Sequence, residues 1–323
     1  MKRIAVLTSG GDAPGMNAAI RAVARNGIEL GLEVFGVERG FVGLKEGHFK
    51  RLKRRDVSGI IQLGGTMLGS SRLPEFREKN VREQAISRLN QADIDALVVI
   101  GGNGSQAGAA DLWADGFPTA GVASTIDNDL VGSEPSIGTY TAAEIGMLAI
   151  DQLKTTASAQ HRAFLIETMG RKCGHLALIV GIAGGAEAIV IPEYELTPEQ
   201  IEHELRNAYV RGKSHAIVVV AEGAKNNADR LAVYFKKREQ EVGFGLRITK
   251  LGYVQRGGAP GIFDRLLGTK LGSKAAELLY NNQPGKLVGI MKDEVLLTPY
   301  EDITGKTKSI DRKLYELAGI MAK

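Results

Sequence analysis

The chain contains one cysteine, Cys173, among its 323 residues, so no disulfide bond can form within it. Chains without disulfides are typical of reducing compartments. The first residues lack the long apolar segment and the small-residue cleavage site of a signal peptide, and no apolar run is long enough to cross a bilayer. These absences predict a cytoplasmic protein that has no membrane partner.

Charge and motif patterns exclude further classes of protein. The net charge is only +4 at pH 7, and the basic residues are spread out except for one dense run at 50–55. Such a run indicates a basic loop or an anion site, and we expect no nucleic-acid partner. The sequence has no H-E-x-x-H metalloprotease motif and no protein-kinase signature. Residues 64–71 have the glycine spacing of a Walker A loop but lack its lysine.

Glycine is abundant, with 41 residues, whereas only 6% of the chain is aromatic. This composition is typical of α/β proteins, which use many tight turns between strands and helices. The chain is long for one hydrophobic core, so two domains are expected. Because strand-like and helix-like segments alternate almost throughout, we predict an α/β fold of two doubly wound, mainly parallel-sheet domains.

Hydrophobic periodicity predicts the individual helices and strands. The predicted strands are residues 4–7, 33–37, 94–100, 119–122, 163–167, 188–191, 216–221 and 287–291. The predicted helices are a segment that starts at Met16 and residues 82–89, 139–155, 174–182, 198–210, 229–241 and 264–280. Residues 57–63 are predicted to be a short helix or strand. Thr197 is predicted to cap the helix that follows it, with proline at its first position and Gln200 at its third.

A polar loop follows the predicted strand 119–122. It reads Ala-Ser-Thr-Ile-Asp-Asn-Asp-Leu-Val-Gly from position 123 to position 132. Open α/β sheets bind ligands at the carboxyl ends of their strands, so these side chains are expected at a ligand site. Asp127 and Asp129, beside Thr125 and Asn128, offer a base, a cation ligand and hydrogen-bond donors. An Asx-rich turn without chemistry is the alternative.

Three glycine pairs, at positions 10–11, 64–65 and 101–102, stand close to the end of a predicted strand or helix. Backbone amides at glycine can approach an anion closely, and a following helix N-terminus favours negative charge, so the pairs suggest phosphate binding. Residues 102–108 also come close to the dinucleotide fingerprint, which leaves an oxidoreductase as a remote alternative. Arginines beside the glycine pairs and strand ends would suit phosphoryl transfer. They are Arg72, Arg162, Arg171 and Arg256.

Seven motifs follow one another along essentially the whole chain. They are L-T-S-G-G-D-A-P-G-M-N-A from Leu7, G-G-T from Gly64, G-G-N-G-S from Gly101, T-I-D-N-D from Thr125, M-G-R from Met169, I-A-G-G-A-E from Ile182 and Q-R-G-G from Gln255. In this order and spacing they resemble the bacterial 6-phosphofructokinase family.

The resemblance implies a glycolytic enzyme that transfers a phosphoryl group from ATP to the 1-hydroxyl of fructose 6-phosphate. It also implies a homotetramer in which the active site lies in the cleft between two domains. The implied nucleotide-binding domain is residues 1–138 with 256–304. The implied sugar-phosphate-binding domain is residues 139–255 with 305–323.

The resemblance assigns roles to individual residues. The implied catalytic residues are Asp127, as the general base, Thr125, Arg171 and Arg72. The implied nucleotide-binding residues are Gly11, Arg72, Leu73, Gly102, Asn103, Gly104 and Ser105. The implied sugar-phosphate residues are Thr125, Asp127, Asp129, Met169, Gly170, Arg171, Glu222, Tyr253 and Arg256, with Arg162 and Arg247 supplied by a neighbouring subunit. A Mg²⁺ cofactor is implied at Asn103 and Asp129.

An allosteric site at a subunit interface is implied as well. Its residues are Arg21, Arg25, Arg54, Lys154, Gly185, Glu187, Arg211, Lys213 and His215. The implied effectors are a nucleoside diphosphate, which activates, or phosphoenolpyruvate, which inhibits. The basic run at 50–55 then has an anionic partner.

Four positions bear on the phosphoryl donor and on catalysis. Asn103 stands where the family has an aspartate associated with Mg²⁺, and an amide supplies an oxygen without negative charge. Ser124 stands where ATP users typically have glycine and pyrophosphate users lysine, whereas Gly104 stands where pyrophosphate users have aspartate. Tyr253 replaces a histidine at the sugar phosphate, and its phenol can still donate one hydrogen bond. ATP is the expected donor; the alternatives are a pyrophosphate-dependent enzyme and a weakly active paralogue that binds sugar phosphate or effector.

Overall fold

The computed structural model describes residues 1–322, apart from the side chains at 239 and 240. The chain forms two compact units. The first unit consists of Met1–Thr141 and Arg256–Lys308, and the second consists of Ala142–Gln255 and the described residues from Ser309 onward. The chain therefore crosses from one unit to the other after Thr141, Gln255 and Lys308.

Strands and helices alternate along the described residues. The strands are β1 (Arg3–Thr8), β2 (Glu33–Val37), β3 (Phe49–Leu52), β4 (Ala96–Gly101), β5 (Thr119–Ala123), β6 (Arg162–Thr168), β7 (Ala188–Val190), β8 (Ala216–Ala221), β9 (Gly245–Lys250), β10 (Lys286–Met291) and β11 (Glu294–Pro299). The helices are α1 (Met16–Glu29), α2 (Gly40–Glu46), α3 (Lys79–Gln91), α4 (Asn103–Ala114), α5 (Thr139–Ala159), α6 (His175–Ala183), α7 (Pro198–Val210), α8 (Ala228–Phe235), α9 (Glu239–Val242), α10 (Ile262–Tyr280), α11 (Tyr300–Ile303) and α12 (Arg312–Met321). Two short 3-10 turns lie at Pro74–Arg77 and Gly252–Gln255.

The first unit is built on a seven-stranded sheet in the order β11-β10-β5-β4-β1-β2-β3. Its five inner strands run parallel, and the edge strands β3 and β11 are antiparallel to their neighbours. Strands β4 and β5 are buried along their whole length, as is usual for parallel strands covered by helices. Because β1, β4 and β5 are neighbours, the loops that follow them meet at one edge of the sheet.

The second unit has a four-stranded parallel sheet in the order β7-β8-β6-β9. One face of this sheet packs into a core that includes Leu165, Val218, Leu205, Phe235 and Phe244. Helix α7, which contributes to this core, begins as predicted. The Thr197 side chain accepts from the N–H of Gln200, and the Gln200 side chain accepts from the N–H of Thr197.

The structure confirms the α/β class and all eight predicted strands, but two element predictions are wrong. Residues 57–63 form turns, because Gly59 has a φ of +73° between the buried Val57 and Ile60. The predicted helix 229–241 is divided into α8 and α9 by a turn at 236–238, where the N–H of Arg238 donates to the carbonyl of Phe235 at 2.9 Å. No helix of residues 1–322 is long and apolar enough to cross a membrane.

Candidate active site

Four polar loops meet at the carboxyl edge of the sheet in the first unit. The N–H of Ser9, after β1, donates to the carbonyl of Ile100 at 3.1 Å, and the N–H of Ser124, after β5, donates to the carbonyl of Gly101 at 3.2 Å. The hydroxyl of Ser70 donates to the carbonyl of Gly10 at 2.6 Å. The fold thus brings the three predicted glycine pairs and the aspartate loop of the sequence to one place.

The loop that carries Asp127 is fixed by its own hydrogen bonds. Asp127 is only 3% exposed, and its N–H donates to Oγ1 of Thr125 at 3.2 Å. The carbonyl of Thr125 accepts from the hydroxyls of Ser136 at 2.7 Å and Thr139 at 3.2 Å. Asn128, which has a φ of 52°, accepts at Oδ1 from the N–H of Ser136 at 3.1 Å. A carboxylate held in this way can meet a substrate with little loss of conformational entropy.

Helix α4 begins beside this loop, and no side chain of the described residues caps its N-terminus. Its first residues are Asn103, Gly104 and the buried Ser105. Nothing lies within 4 Å of the position that a Cβ would occupy at Gly104, whereas a Cβ at Gly102 would meet the Cβ of Thr125 at 3.2 Å. The helix therefore offers unblocked N–H groups and a favourable dipole to an anion beside the aspartate loop.

Asn103 and Asp129 meet as the sequence predicts for a cation site. The amide nitrogen of Asn103 donates to the backbone carbonyl of Asp129 at 3.4 Å. Asn103 then presents its amide oxygen, and the half-buried Asp129 has a carboxylate, close to the N-terminus of α4. Mg²⁺ is usually bound by one or two carboxylates together with substrate phosphates, so this set of oxygens fits a metal that arrives with a nucleotide.

Arg72 and Leu73 lie on a firmly anchored segment. Arg72 is exposed and Leu73 half-buried, and both precede the 3-10 turn Pro74–Arg77. Within that turn, Phe76 is buried and stacks on Phe41 with ring centroids 4.2 Å apart. Arg72 therefore projects from a fixed base, two residues after the serine that bonds the Gly10 loop.

Gly11 and Arg256 are in contact, although 244 positions separate Arg256 from the residue after Gly11. Arg256 is 8% exposed, and its Nη1 donates to the carbonyl of Asp12 at 3.0 Å. A Cβ at Gly11 would collide with this guanidinium. Gly11 thus makes room for an arginine. Arg256 belongs to the first unit, whereas Met169 and Glu222, which the resemblance places in the same sugar pocket, belong to the second.

In the second unit, a sharp turn follows β6 and is held by Glu222. Oε1 of Glu222 accepts from the N–H of Gly170 at 3.2 Å and from the N–H of Arg171 at 2.7 Å. Both residues have positive φ, 143° and 52°, a conformation that a non-glycine residue such as Arg171 rarely adopts. The carboxylate therefore stabilises a strained turn that presents the exposed Arg171 side chain, and such strain is common at functional sites.

Gln255 is a site residue that sequence reasoning did not assign, although it opens the Q-R-G-G motif. It is fully buried, its Oε1 accepts from the N–H of Met169 at 2.8 Å, and its Nε2 donates to the carbonyl of Ala142 at 3.3 Å. It anchors the turn after β6 from a second side. Tyr253, in the same 3-10 turn, is 81% exposed.

Arg162 and Arg247 lie on neighbouring strands of the second unit. Arg162 is opposite Gly245, and Arg247 is opposite Phe164. Since side chains alternate along a strand, the two arginines occupy the same face of the sheet. Arg247 is exposed on the edge strand β9, and Arg162 is half-buried at the start of β6.

Six predicted effector residues lie in the second unit, and five of them cluster around Glu187. Glu187 is 5% exposed and accepts from Nζ of Lys213 at 2.8 Å. Gly185 has a φ of +58°, and a Cβ there would lie 3.5 Å from Nζ of Lys154. Burial lowers the pKa of His215, which lies close to Glu187 and the two lysines. Nη2 of Arg211 donates to the carbonyl of Ala322 at 3.4 Å.

The other predicted effector residues lie in the first unit. Arg21 and Arg25 are one turn apart on α1 and are both half-buried. Burial, and after it the charge of Arg25, lowers the pKa of Arg21. Arg54 is exposed and forms an ion pair with Glu29. Two like charges held one turn apart repel each other, and a bound anion would relieve that repulsion.

Comparison with known proteins tests the family that the seven motifs imply. A family model described as phosphofructokinase matches residues 3–279. The ATP-dependent 6-phosphofructokinase of Listeria welshimeri is 45% identical over 323 residues, which cover 100% of both chains. That of Edwardsiella ictaluri is 46% identical over 312 residues, which cover 97% of this chain and 95% of the relative.

A solved structure is similar as well. The phosphofructokinase of Pichia pastoris in the T-state matches with a TM-score of 0.88 and 35% sequence identity over 99% of this chain. This chain spans only 36% of the Pichia chain. The family inferred from the seven motifs is confirmed, and so is its α/β architecture. The chain belongs to the phosphofructokinase family.

Proposed function

We propose that this protein is an ATP-dependent 6-phosphofructokinase, which transfers a phosphoryl group from ATP to the 1-hydroxyl of fructose 6-phosphate in glycolysis. The observation that carries the proposal is the aspartate loop of the first unit. It holds the 3% exposed Asp127 in a fixed position beside the uncapped N-terminus of α4. The bacterial relatives that match the whole chain bear the same name.

The first unit binds the nucleotide and supplies the base. The N–H groups at the start of α4 bind phosphate oxygens, and the exposed Gly104 lets them approach. Asp127 accepts the proton of the sugar 1-hydroxyl as that oxygen attacks phosphorus. Asp129 and the amide oxygen of Asn103 would hold Mg²⁺, which neutralises charge on the phosphate oxygens.

The second unit binds the sugar phosphate. Glu222 uses Oε1 for the turn after β6, so its Oε2 is the oxygen that accepts from a sugar hydroxyl. The positive φ of Arg171 directs an exposed guanidinium from the same turn, and this charge stabilises the phosphoryl group during transfer. Arg162 and Arg247 bind the 6-phosphate that belongs to a neighbouring subunit's site.

A donor assay tests the proposal. Purified protein is supplied with fructose 6-phosphate and either ATP or pyrophosphate, each with Mg²⁺ or with a chelator, and fructose 1,6-bisphosphate is measured. We expect turnover with ATP and Mg²⁺ to exceed every other condition by at least about tenfold, because one lost charge-assisted contact already costs that much. Faster turnover with pyrophosphate would reassign the donor. Sugar-phosphate binding without turnover would instead identify the weakly active paralogue.

We infer that the protein assembles as a homotetramer. Helix α10 exposes Ile262, Phe263 and Leu266 at 68%, 61% and 54%, and Tyr140 lies 5.5 Å from the ring of Phe263. A contiguous exposed apolar surface of this kind marks an interface. Another copy of this chain is the partner that the shared arginines require.

In our proposal, the cationic residues on α1 and those around Glu187 each contribute to an allosteric site at a subunit interface, which binds a nucleoside diphosphate or phosphoenolpyruvate. We expect Arg211→Ala to raise the effector concentration for half-maximal response roughly tenfold or more, because a hydrogen bond to a charged group is lost. Turnover at saturating substrates should remain as it is. Initial rates across an effector titration measure both.

Arg206→Ala is the matched control, since Arg206 is an exposed arginine on α7 in the same unit. Its effector response should equal that of the unaltered protein. An effector response of Arg211→Ala that matches the control would contradict the proposed site. Arg211 would then have only a structural role, through its bond to the carbonyl of Ala322. Allostery needs different affinities in two states, so rates and not binding alone decide the outcome.

A further inference from the structure

Asp264 is a carboxylate that the proposed reaction does not use. It lies in the first turn of α10 and is 0% exposed. A buried carboxylate is costly unless hydrogen bonds and favourable dipoles compensate it. Strong hydrogen bonds are therefore needed to keep this carboxylate buried in the first unit. Its hydrogen-bond partners Gly138 and Thr141 lie in one segment, residues 138–141.

Both oxygens of Asp264 bind the start of helix α5. Oδ1 accepts from the N–H of Gly138 at 2.7 Å. Oδ2 accepts from the N–H of Thr141 at 2.8 Å and from its hydroxyl at 2.6 Å. A negative charge at a helix N-terminus is stabilised by the helix dipole, and here a residue 123 positions away supplies it. Asp264 thus caps α5 from another helix.

The segment that Asp264 holds is the one that fixes the catalytic loop. Thr139, between the two residues bound by Asp264, donates its hydroxyl to the carbonyl of Thr125, and Ser136 donates to the same oxygen at 2.7 Å. The N–H of Asp127 in turn donates to Oγ1 of Thr125 at 3.2 Å. Asp264 is therefore connected to the loop of Asp127 through the backbone of residues 138–141 and the hydrogen bond from Thr139 to Thr125.

The surrounding backbone leaves room for this arrangement. A Cβ at Gly15 would lie 2.9 Å from the carbonyl oxygen of Asp264 and 2.8 Å from Cγ2 of Ile137. Gly138 has a φ of +101°, so its N–H reaches Asp264 in a conformation that a side chain would disfavour. Glycine at positions 15 and 138 thus permits the close packing and the backbone conformation around Asp264.

We propose that Asp264 is a positioning residue for phosphoryl transfer, which holds the first turn of α5 and thereby sets the carboxylate of Asp127 against the sugar hydroxyl. The inference rests on the proposed function, in which Asp127 is the base. Capping for stability alone would make Asp264 important for folding but not for the rate of the folded enzyme. The kcat of a folded Asp264 variant therefore distinguishes a positioning role from a purely stabilising one.

The test is steady-state kinetics of Asp264→Asn well below its unfolding temperature. Asparagine keeps the shape but places an NH₂ group against one of the donors. We expect kcat to fall about 10- to 100-fold, with the KM values of both substrates within about threefold, because small misplacements of a reacting group have effects of this size. Asp311→Asn is the matched control: Asp311 accepts from two N–H groups at the start of α12 in the second unit, and its kcat should not change.

A pair of variants at Thr141 covers the case in which Asp264→Asn does not fold. Thr141→Val removes the hydroxyl that bonds Asp264, and Thr141→Ser restores it. A kcat that falls in the valine variant and recovers in the serine variant supports the inference, and equal kcat values overturn it. Unchanged kcat in Asp264→Asn likewise overturns it if Asp127→Asn is inactive. If Asp127→Asn is itself fully active, the proposed base is wrong instead.

Discussion

Replacing Asp127 by asparagine is expected to lower kcat about 10³-fold, while the KM values of ATP and fructose 6-phosphate stay within about threefold. An amide has the same shape but cannot accept the hydroxyl proton. The loop itself should persist, because the substitution leaves in place the N–H of residue 127, which donates to Oγ1 of Thr125. Initial rates with varied substrates measure kcat and KM, and thermal unfolding verifies that the variant is folded.

Asp293→Asn is the control for this substitution. Asp293 is an exposed residue between β10 and β11 in the same unit, and its φ of 65° suits asparagine as well as aspartate. We expect its kinetics to match the unaltered protein. An Asp127→Asn enzyme that keeps more than about a tenth of its turnover would exclude a general-base role, since such a role contributes at least about 10²-fold.

The local hydrophobic pattern of the sequence was sufficient to predict the inner strands of the first unit. Strands β4 and β5 are short, continuous apolar runs that end in glycine or in polar loops, so both their position and their carboxyl ends could be predicted. The edge strands β3 and β11 could not. They are largely exposed and antiparallel, and pairing with a neighbour, which a local window does not contain, makes them strands.

The candidate site divides in the same way. The aspartate loop and the start of α4 were predicted because their chemistry is carried by adjacent residues. Gln255, Ser136 and Asp264 were not assigned, because their partners are 86, 11 and 126 positions away. At Gly11 the sequence predicts only part of the reason for a glycine. The sequence suggests an approach to phosphate, whereas the fold shows in addition that a side chain there would collide with Arg256.

The second large prediction concerns Arg162. It lies at the start of β6, at the opposite end of the strand from the turn at Met169 and Gly170 in its own subunit. β6 begins at Arg162 and ends at Thr168, directly before Met169 and Gly170. Six steps along a strand span about 20 Å, which is farther than an arginine side chain extends. If Arg162 binds the sugar phosphate, that phosphate therefore lies in the site of another subunit.

We expect two separately inactive variants, Asp127→Ser and Arg162→Ser, to regain activity when they are unfolded together and refolded as mixed tetramers. In a symmetric oligomer with sites shared between pairs, random assembly at equal amounts gives about one quarter of the sites an intact base and an intact arginine. Turnover should therefore reach about one quarter of the level of the unaltered protein. Differently tagged subunits, purified through both tags, establish that the tetramers are mixed.

Each variant refolded alone is the control for this mixing experiment, because it passes through the same procedure without a complementary partner. The rates are compared at a fructose 6-phosphate concentration at which Arg162→Ser shows no turnover. Doubly tagged tetramers that remain as inactive as their parents would mean that Asp127 and Arg162 must come from one subunit, which the length of β6 argues against. Recovered activity, in contrast, requires that an arginine at the start of β6 completes the site of a neighbour.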